Sequence, residues 1–163
     1  MRKSAATMKS VTFDIFLSHA HVDALAIVGV AEALASQNLK VYVDWIDDPQ
    51  LDRSNISVHT ANVLQQRMRQ SEALIFALSD SSSYSVWMPW ELGYFNGIKP
   101  GHMAILPIVN LGVRSFPGQE YLGLYPLMED VGIGGKHRLG IRLANQSSAT
   151  PQDLVMSRVE RSD

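Results

Sequence analysis

Glu91 is the carboxylate whose neighbours most suggest chemistry. It stands among Trp87, Trp90 and Tyr94 in a stretch otherwise poor in polar groups, with Trp87 about one helical turn before it. A glutamate beside indole rings either has its pKa raised by desolvation, or stays ionised and stabilises a cation in a water-poor pocket. The plainer alternative is a boundary glutamate near a helix start, favoured by the macrodipole, next to tryptophans that only fill a core. Three other places set polar side chains directly after apolar runs: Ser18-His19, Asp44-Trp45 and Ser79-Asp80. The chain has no cysteine. Thiol nucleophiles, disulfide frameworks, thiolate zinc sites and iron–sulfur clusters are therefore excluded, and any chemistry uses oxygen or imidazole. Asp47, Asp48 and Asp52 lack the spacing of a calcium-binding loop, so a solvated loop and no metal is the expectation.

The elements that must position these residues are legible as alternating blocks. Phe13–Leu17 is a nearly continuous apolar run of strand length, which predicts a strand buried on both faces, with Asp14 structural. Asp23 is a candidate cap for a helix with apolar positions Leu25, Val28, Ala31, Leu34 and Ala35, ending at Gln37-Asn38. Lys40–Val43 reads as a second strand and Ile46–Ser57 as a loop. Helical spacing returns from Val58 to Met68, with Arg67 and Arg69 expected outward, and Ala73–Leu78 is the clearest buried strand. A helix capped by Ser85, or starting at Pro89, runs to about Phe95, with the proline tolerable in a first turn. Ala104–Val109 is a fourth strand, whose Pro107 suggests a bulge or sheet edge, and Tyr121–Tyr125 is a weak fifth.

Order β-α-β-α-β-α-β predicts an α/β fold: a flavodoxin-like open parallel sheet of about five strands with helices on both faces. Ligands in such folds sit beyond the carboxyl ends of the strands, so Ser18, His19, Asp44, Trp45, Ser79 and the helix start around Trp87 and Glu91 share one rim. The 163 residues argue against two full domains and provide a core that needs no disulfide or metal staple. Residues 1–10 and 143–163 read as tails around a domain at 11–142. With 14 basic and 16 acidic residues and a pI of about 6.2, binding to nucleic acid through bulk electrostatics is not expected. No signal peptide or membrane-spanning segment is evident, and a cytoplasmic protein is the expectation.

Four blocks taken together, Phe13–His19, Val41–Asp44, Ala77–Ser79 and Ser85–Leu92, resemble the Toll/interleukin-1 receptor (TIR) domain family, particularly its bacterial members. The resemblance covers about residues 11 to 126, and its most specific part is the S-x-W-x-x-x-E-L pattern from Ser85. It departs from the family pattern in carrying Pro89 inside that motif and no glycine between Asp44 and Ser57. Enzymatic members cleave the bond between nicotinamide and ribose in NAD+, giving nicotinamide with ADP-ribose or a cyclised isomer. The resemblance makes Glu91 the catalytic carboxylate and NAD+ a substrate, with no separate cofactor. Nicotinamide leaves a cationic ring as a neutral one and needs no general acid, so one carboxylate suffices where ordinary glycosidases use two. By fold logic Ser18 and His19 would face ribose or phosphate, and Asp44 either holds its loop or touches ligand. Trp45 matches a region that serves access and assembly in the family, or is a hydrophobic plug; Trp87 stacks on the substrate or on the core. Family analogy further implies self-association through TIR–TIR contacts, antiphage signalling, and a separate effector that senses the product. A non-catalytic interaction module and a nucleoside deoxyribosyltransferase-like enzyme are the competing readings. A phospho-receiver lacks its acidic pair here, and a flavodoxin its phosphate loop.

Overall fold

The computed structural model describes residues 11–108, 119–132, 134–142 and 148–156. Strand β1 (Phe13–Ser18) leads through a short 3-10 turn into α1 (Ala24–Ser36), followed by β2 (Val41–Tyr42) and a single helical turn, α2 (Asp44–Asp47). Then come α3 (Val58–Arg69), β3 (Ser71–Leu78), α4 (Trp87–Ile98), β4 (Met103–Pro107), β5 (Leu127–Asp130), β6 (Leu139–Arg142), β7 (Ser148–Ala149) and α5 (Pro151–Met156). The sheet order is β2-β1-β3-β4-β5-β6-β7. The first five strands are mutually parallel, and β6 and β7 add on antiparallel. This is the flavodoxin-like order with two strands added at the β5 edge, and its switch point lies between β1 and β3.

The apolar runs are continuous because the sheet is covered on both sides. Along β3, Leu74, Phe76 and Leu78 point into a cluster with Leu64, Met68, Met88, Leu92 and Phe95 from α3 and α4. The alternate residues Ala73, Ile75 and Ala77 enter a second cluster with Ile27 and Leu34 of α1 and Leu154 of α5. A strand with both faces dry has no position for a polar side chain, so its residues read as a block rather than an alternation.

Local signals act where expected at several ends. Asn38 takes the left-handed conformation (φ 64°) just past α1, as a helix-terminating residue does. Ser57 accepts a hydrogen bond from the Thr60 amide at 3.1 Å and caps α3. Pro89 lies in the first turn of α4, where its missing donor has no intrahelical acceptor to satisfy, and Asp14 accepts from the Lys40 amide at 2.7 Å, a structural task.

Other expectations are corrected. The sheet has seven strands rather than about five. Tyr121–Tyr125 is not a strand: Glu120–Leu124 is a 3-10 turn and β5 follows at Leu127. Pro107 is no edge or bulge residue; it ends a central strand, and Ile108 makes the next bond to the Leu78 carbonyl at 2.8 Å. Asp23 precedes α1 without capping it by its side chain, which instead accepts from the Ser79 hydroxyl. Leu25 is exposed, while Ile27 and Leu34 face the core. Within the segment expected to be tail, residues 148–156 form β7 and α5. Leu154 there is fully buried and its carbonyl meets the His102 ring at 2.7 Å. Residues 1–10, 143–147 and 157–163, with Val109 of the expected fourth strand, lie outside the described residues.

Truncating Leu154 tests whether α5 belongs to the core. Leu154→Ala is expected to destabilise the fold by about 2–5 kcal/mol, seen as a fall in Tm; an unchanged Tm would mean that α5 contributes no packing.

Candidate active site

The site grows out of α4. Its core-facing stripe is Trp87, Met88, Glu91, Leu92 and Phe95, so a carboxylate occupies a position that the helix otherwise gives to apolar groups. Glu91 is 0% exposed. Because α4 starts beside the carboxyl ends of β1 and β3, that stripe carries Glu91 to the end of β1, where the Ser18 hydroxyl donates to Glu91 Oε2 at 2.5 Å. Its other oxygen is held by the Arg53 guanidinium, which comes from the loop after α2. Arg53 also donates to Asp44 Oδ2 at 2.9 Å. Two buried carboxylates thus share one cation. Burial alone works against the Arg53 charge, but the pull of Glu91 and then of Asp44, with the Asp44 hydrogen bond, raises its pKa above the ordinary value.

Around this pair the rim closes. The Trp87 indole N–H donates to the Arg53 carbonyl at 2.7 Å, fixing the loop backbone from outside. His19 is buried, with Nδ1 at 2.9 Å from the Leu17 carbonyl. That oxygen can only accept, so Nδ1 carries a proton and Nε2 is turned toward Asp44 Oδ1 at 3.4 Å. Asp44 Oδ1 has no hydrogen-bond partner. A cavity of about 560 Å³ opens directly outside, a size suited to a nucleotide-sized ligand. Its floor is His19, Asp44, Arg53 and Trp87, and its walls include Val22, Tyr84 and Val86.

The loop carrying Arg53 has firm ends. Arg67 turns back from α3 rather than outward and grips Asp48 with two bonds of 2.8 Å, and the Tyr42 hydroxyl donates to the same carboxylate at 2.9 Å. Those contacts, the Arg67 bonds foremost and opposed by burial, hold the Asp48 pKa below its ordinary 3.8. Burial, then Asp48, pushes the Tyr42 hydroxyl well up. Asp47 accepts from the Val43 amide and Asp52 from Ser54. The acidic run is therefore three separate fastenings, and Asp48 is buried rather than solvated.

No family model matches the chain. It is 51% identical over 119 residues to "Probable 3' cyclic ADP-D-ribose synthase ThsB'" of Bacillus cereus (strain MSX-D12), an alignment covering 72% of this chain and 61% of that protein. It is 34% identical over 83 residues to "Putative cyclic ADP-D-ribose synthase TIR2" of Cytobacillus dafuensis, covering 50% of this chain and 22% of that one. Over these stretches the chain is similar to bacterial cyclic ADP-D-ribose synthases, one of which is named as a TIR protein. It spans about three-fifths of the first relative's length and about a fifth of the second's.

The fold brings Ser18, His19, Asp44, Trp87 and Glu91 together at the β1 end of the sheet. It does not bring Trp45 or Ser79 into the cavity wall. Trp45 packs with the cluster on the α1 face, and Ser79 binds Asp23 and Ser82 to shape the turn after β3. Trp90 and Tyr94 stack on each other 5.9 Å apart, and Tyr94 accepts from Arg69, so of the three aromatic neighbours only Trp87 borders the cavity. Arg53 was not singled out by its sequence. Its signal was modest: it is the one basic residue in the acidic loop Ile46–Ser57. Among the described residues no helix is long and apolar enough to cross a membrane.

The Asp48 anchor makes a pH prediction. Since its folded pKa is lowered, its contribution is complete above the ordinary 3.8 and lost as pH falls through the lowered value. Asp48→Asn is expected to cost about 1–3 kcal/mol near neutrality, and its Tm should converge on that of the wild type in acid. A difference that stays constant with pH would show that the anchor is not ionic.

Proposed function

We propose that this chain is a TIR domain and cleaves the nicotinamide–ribose bond of NAD+, with Glu91 as the catalytic carboxylate. The observation that carries the reading is Glu91 itself: an acidic side chain with no exposure, set on an apolar helix stripe and turned to the ligand-binding end of the sheet. Folding tolerates such a charge only with compensation, and a fold under no functional constraint is served better by an apolar residue there. The names of the two curated relatives favour cyclisation of the ADP-ribose moiety.

The chemistry suits a lone carboxylate. The C1′–N bond breaks heterolytically, and its electron pair neutralises the pyridinium nitrogen, so nicotinamide departs without a proton. Glu91 stabilises the positive charge left on the ribose and orients its hydroxyls, and Ser18 holds the carboxylate's orientation through its hydrogen bond. A water or a hydroxyl of the same molecule then bonds to C1′ and releases a proton, giving ADP-ribose or a cyclic isomer. His19 and Asp44 bind the substrate's polar groups, and Trp87 is the aromatic wall. We place the reaction in the cytoplasm, in a self-associated domain, with the product read by a separate effector in antiphage signalling.

The deciding experiment is NAD+ turnover at high protein concentration, with products resolved by mass and retention. Nicotinamide release by the wild type and a fall of about 10²-fold or more in Glu91→Gln is the expected result. A fully active Glu91→Gln would sink the assignment, and turnover of deoxynucleosides instead of NAD+ would point to transferase chemistry.

A further inference from the structure

The same contacts that hold Glu91 at the end of the sheet also shut it away. One carboxylate oxygen takes the Ser18 proton, the other is gripped by Arg53, and none of the side chain reaches solvent. The cavity ends at Arg53 and does not include Glu91. A substrate in that cavity meets a guanidinium where the reacting carboxylate should be.

We propose that Arg53 is an internal stand-in for the substrate's positive charge, occupying the Asp44–Glu91 pair in the closed domain and exchanged for the pyridinium-bearing ribose when NAD+ binds. This rests on the reading of the site as an NAD+-cleaving one and adds to it both a latch and a source of selectivity for cationic N-glycosides.

Charge balance carries the argument. Asp44 and Glu91 face Arg53 from α2 and α4, and the other titratable groups near them are His19, at 3.4 Å from Asp44, and Tyr42, which interacts electrostatically with Asp44 and Arg53. Withdrawing Arg53 alone would strand two buried carboxylates, which is strongly unfavourable. Withdrawal coupled to arrival of another cation is not. A neutral ring entering the same space restores no charge, so the exchange favours the oxidised dinucleotide over its reduced form. Asp44 Oδ1, buried and without a hydrogen-bond partner, is an acceptor already free for the incoming group.

The loop is built to let Arg53 leave. Its ends are pinned, by Asp48 to Tyr42 and Arg67 and by the Ser57 cap. Leu51 packs against the first core cluster and stays with the anchor, but beyond it Asp52, Ser54, Asn55 and Ile56 are exposed, so lifting residues 52–56 uncovers little apolar surface. What holds it down is the Arg53 pair, the Trp87 bond to the Arg53 carbonyl, and a Thr60 hydroxyl bond to the Asp52 carbonyl.

Two measurements test the exchange, one of them independent of turnover. Trypsin cuts after Arg53 only when the loop lifts. Glu91→Gln, which removes one charge from the pair, is expected to speed cleavage at Arg53–Ser54 by about tenfold, as the open population rises, while cleavage after Arg69 at the end of α3 stays unchanged. Equal cleavage at Arg53 in wild type and Glu91→Gln overturns the latch. In kinetics, Arg53→Gln is expected to lower the KM for NAD+ by about tenfold, because a competing closed state is removed, and Arg53→Lys, which keeps a cation between the carboxylates, is expected to lower it less. An equal gain in Arg53→Gln and Arg53→Lys would mean a steric lid and overturn the charge exchange; loss of turnover in a folded Arg53→Gln would make Arg53 a substrate-binding group and overturn it too. Absence of NAD+ turnover in every protein would sink the proposed activity and the exchange with it, whereas the trypsin result would still decide the latch.

Discussion

One buried cation between two buried carboxylates organises this domain. Arg53 joins Asp44, at the end of β2, to Glu91, on α4, and Ser18 at the end of β1 completes the contact. Three elements distant in sequence thereby meet at one point, and a loop that would otherwise be free is drawn across it. The arrangement adds little net stability, since desolvating three charges offsets most of their attraction. Its consequence is dependence. Removing Arg53 strands two buried carboxylates, whereas neutralising one carboxylate leaves Arg53 paired with the other but more weakly held.

That dependence is tolerable because the scaffold is rigid on both sides of the sheet. β3 contributes Leu74, Phe76 and Leu78 to one core and Ala73, Ile75 and Ala77 to the other, so neither layer can shift without disturbing the strand they share. The first core fixes α4 through Met88, Leu92 and Phe95, and so sets the height at which Glu91 meets Ser18. The second fixes α1 and α5, and with them the opposite face. Against this frame the loop after α2 is the soft part, strongly tied at Asp48 and Ser57 and held between them mainly by polar contacts.

The core strands and the rim were legible in the chain because their physics is local. A strand with both faces buried must be a continuous apolar run, and a chain leaving such a strand turns polar at once, which is why Ser18, Asp44 and Ser79 stood out. The failures lie where local composition leaves the outcome open. Tyr121–Tyr125 has strand-like side chains but forms a 3-10 turn, and the pairing goes to Leu127–Asp130, beside β4. Residues 148–156 are polar enough to read as tail, yet Leu154, with Pro151 buried and Ala149 and Val155 packed beside it, seats a short helix once the sheet exists. Trp45, beside Asp44 in the helical turn α2, packs into the α1-side core, and Ser79 just after β3 is taken up by Asp23 and Ser82.

By itself the sequence determined the parallel α/β architecture, the rim on which a ligand would sit, and Glu91 as its distinctive carboxylate, because hydrophobic period and motif spacing are properties of short segments. Only the tertiary structure decided that Arg53 is the residue Glu91 faces. Their partnership spans 38 positions and depends on where the two-sided core places α4, how the Asp48–Arg67 anchor aims the loop, and the need of buried carboxylates for a counter-charge. No local pattern encodes that need; it arises once folding has removed the water.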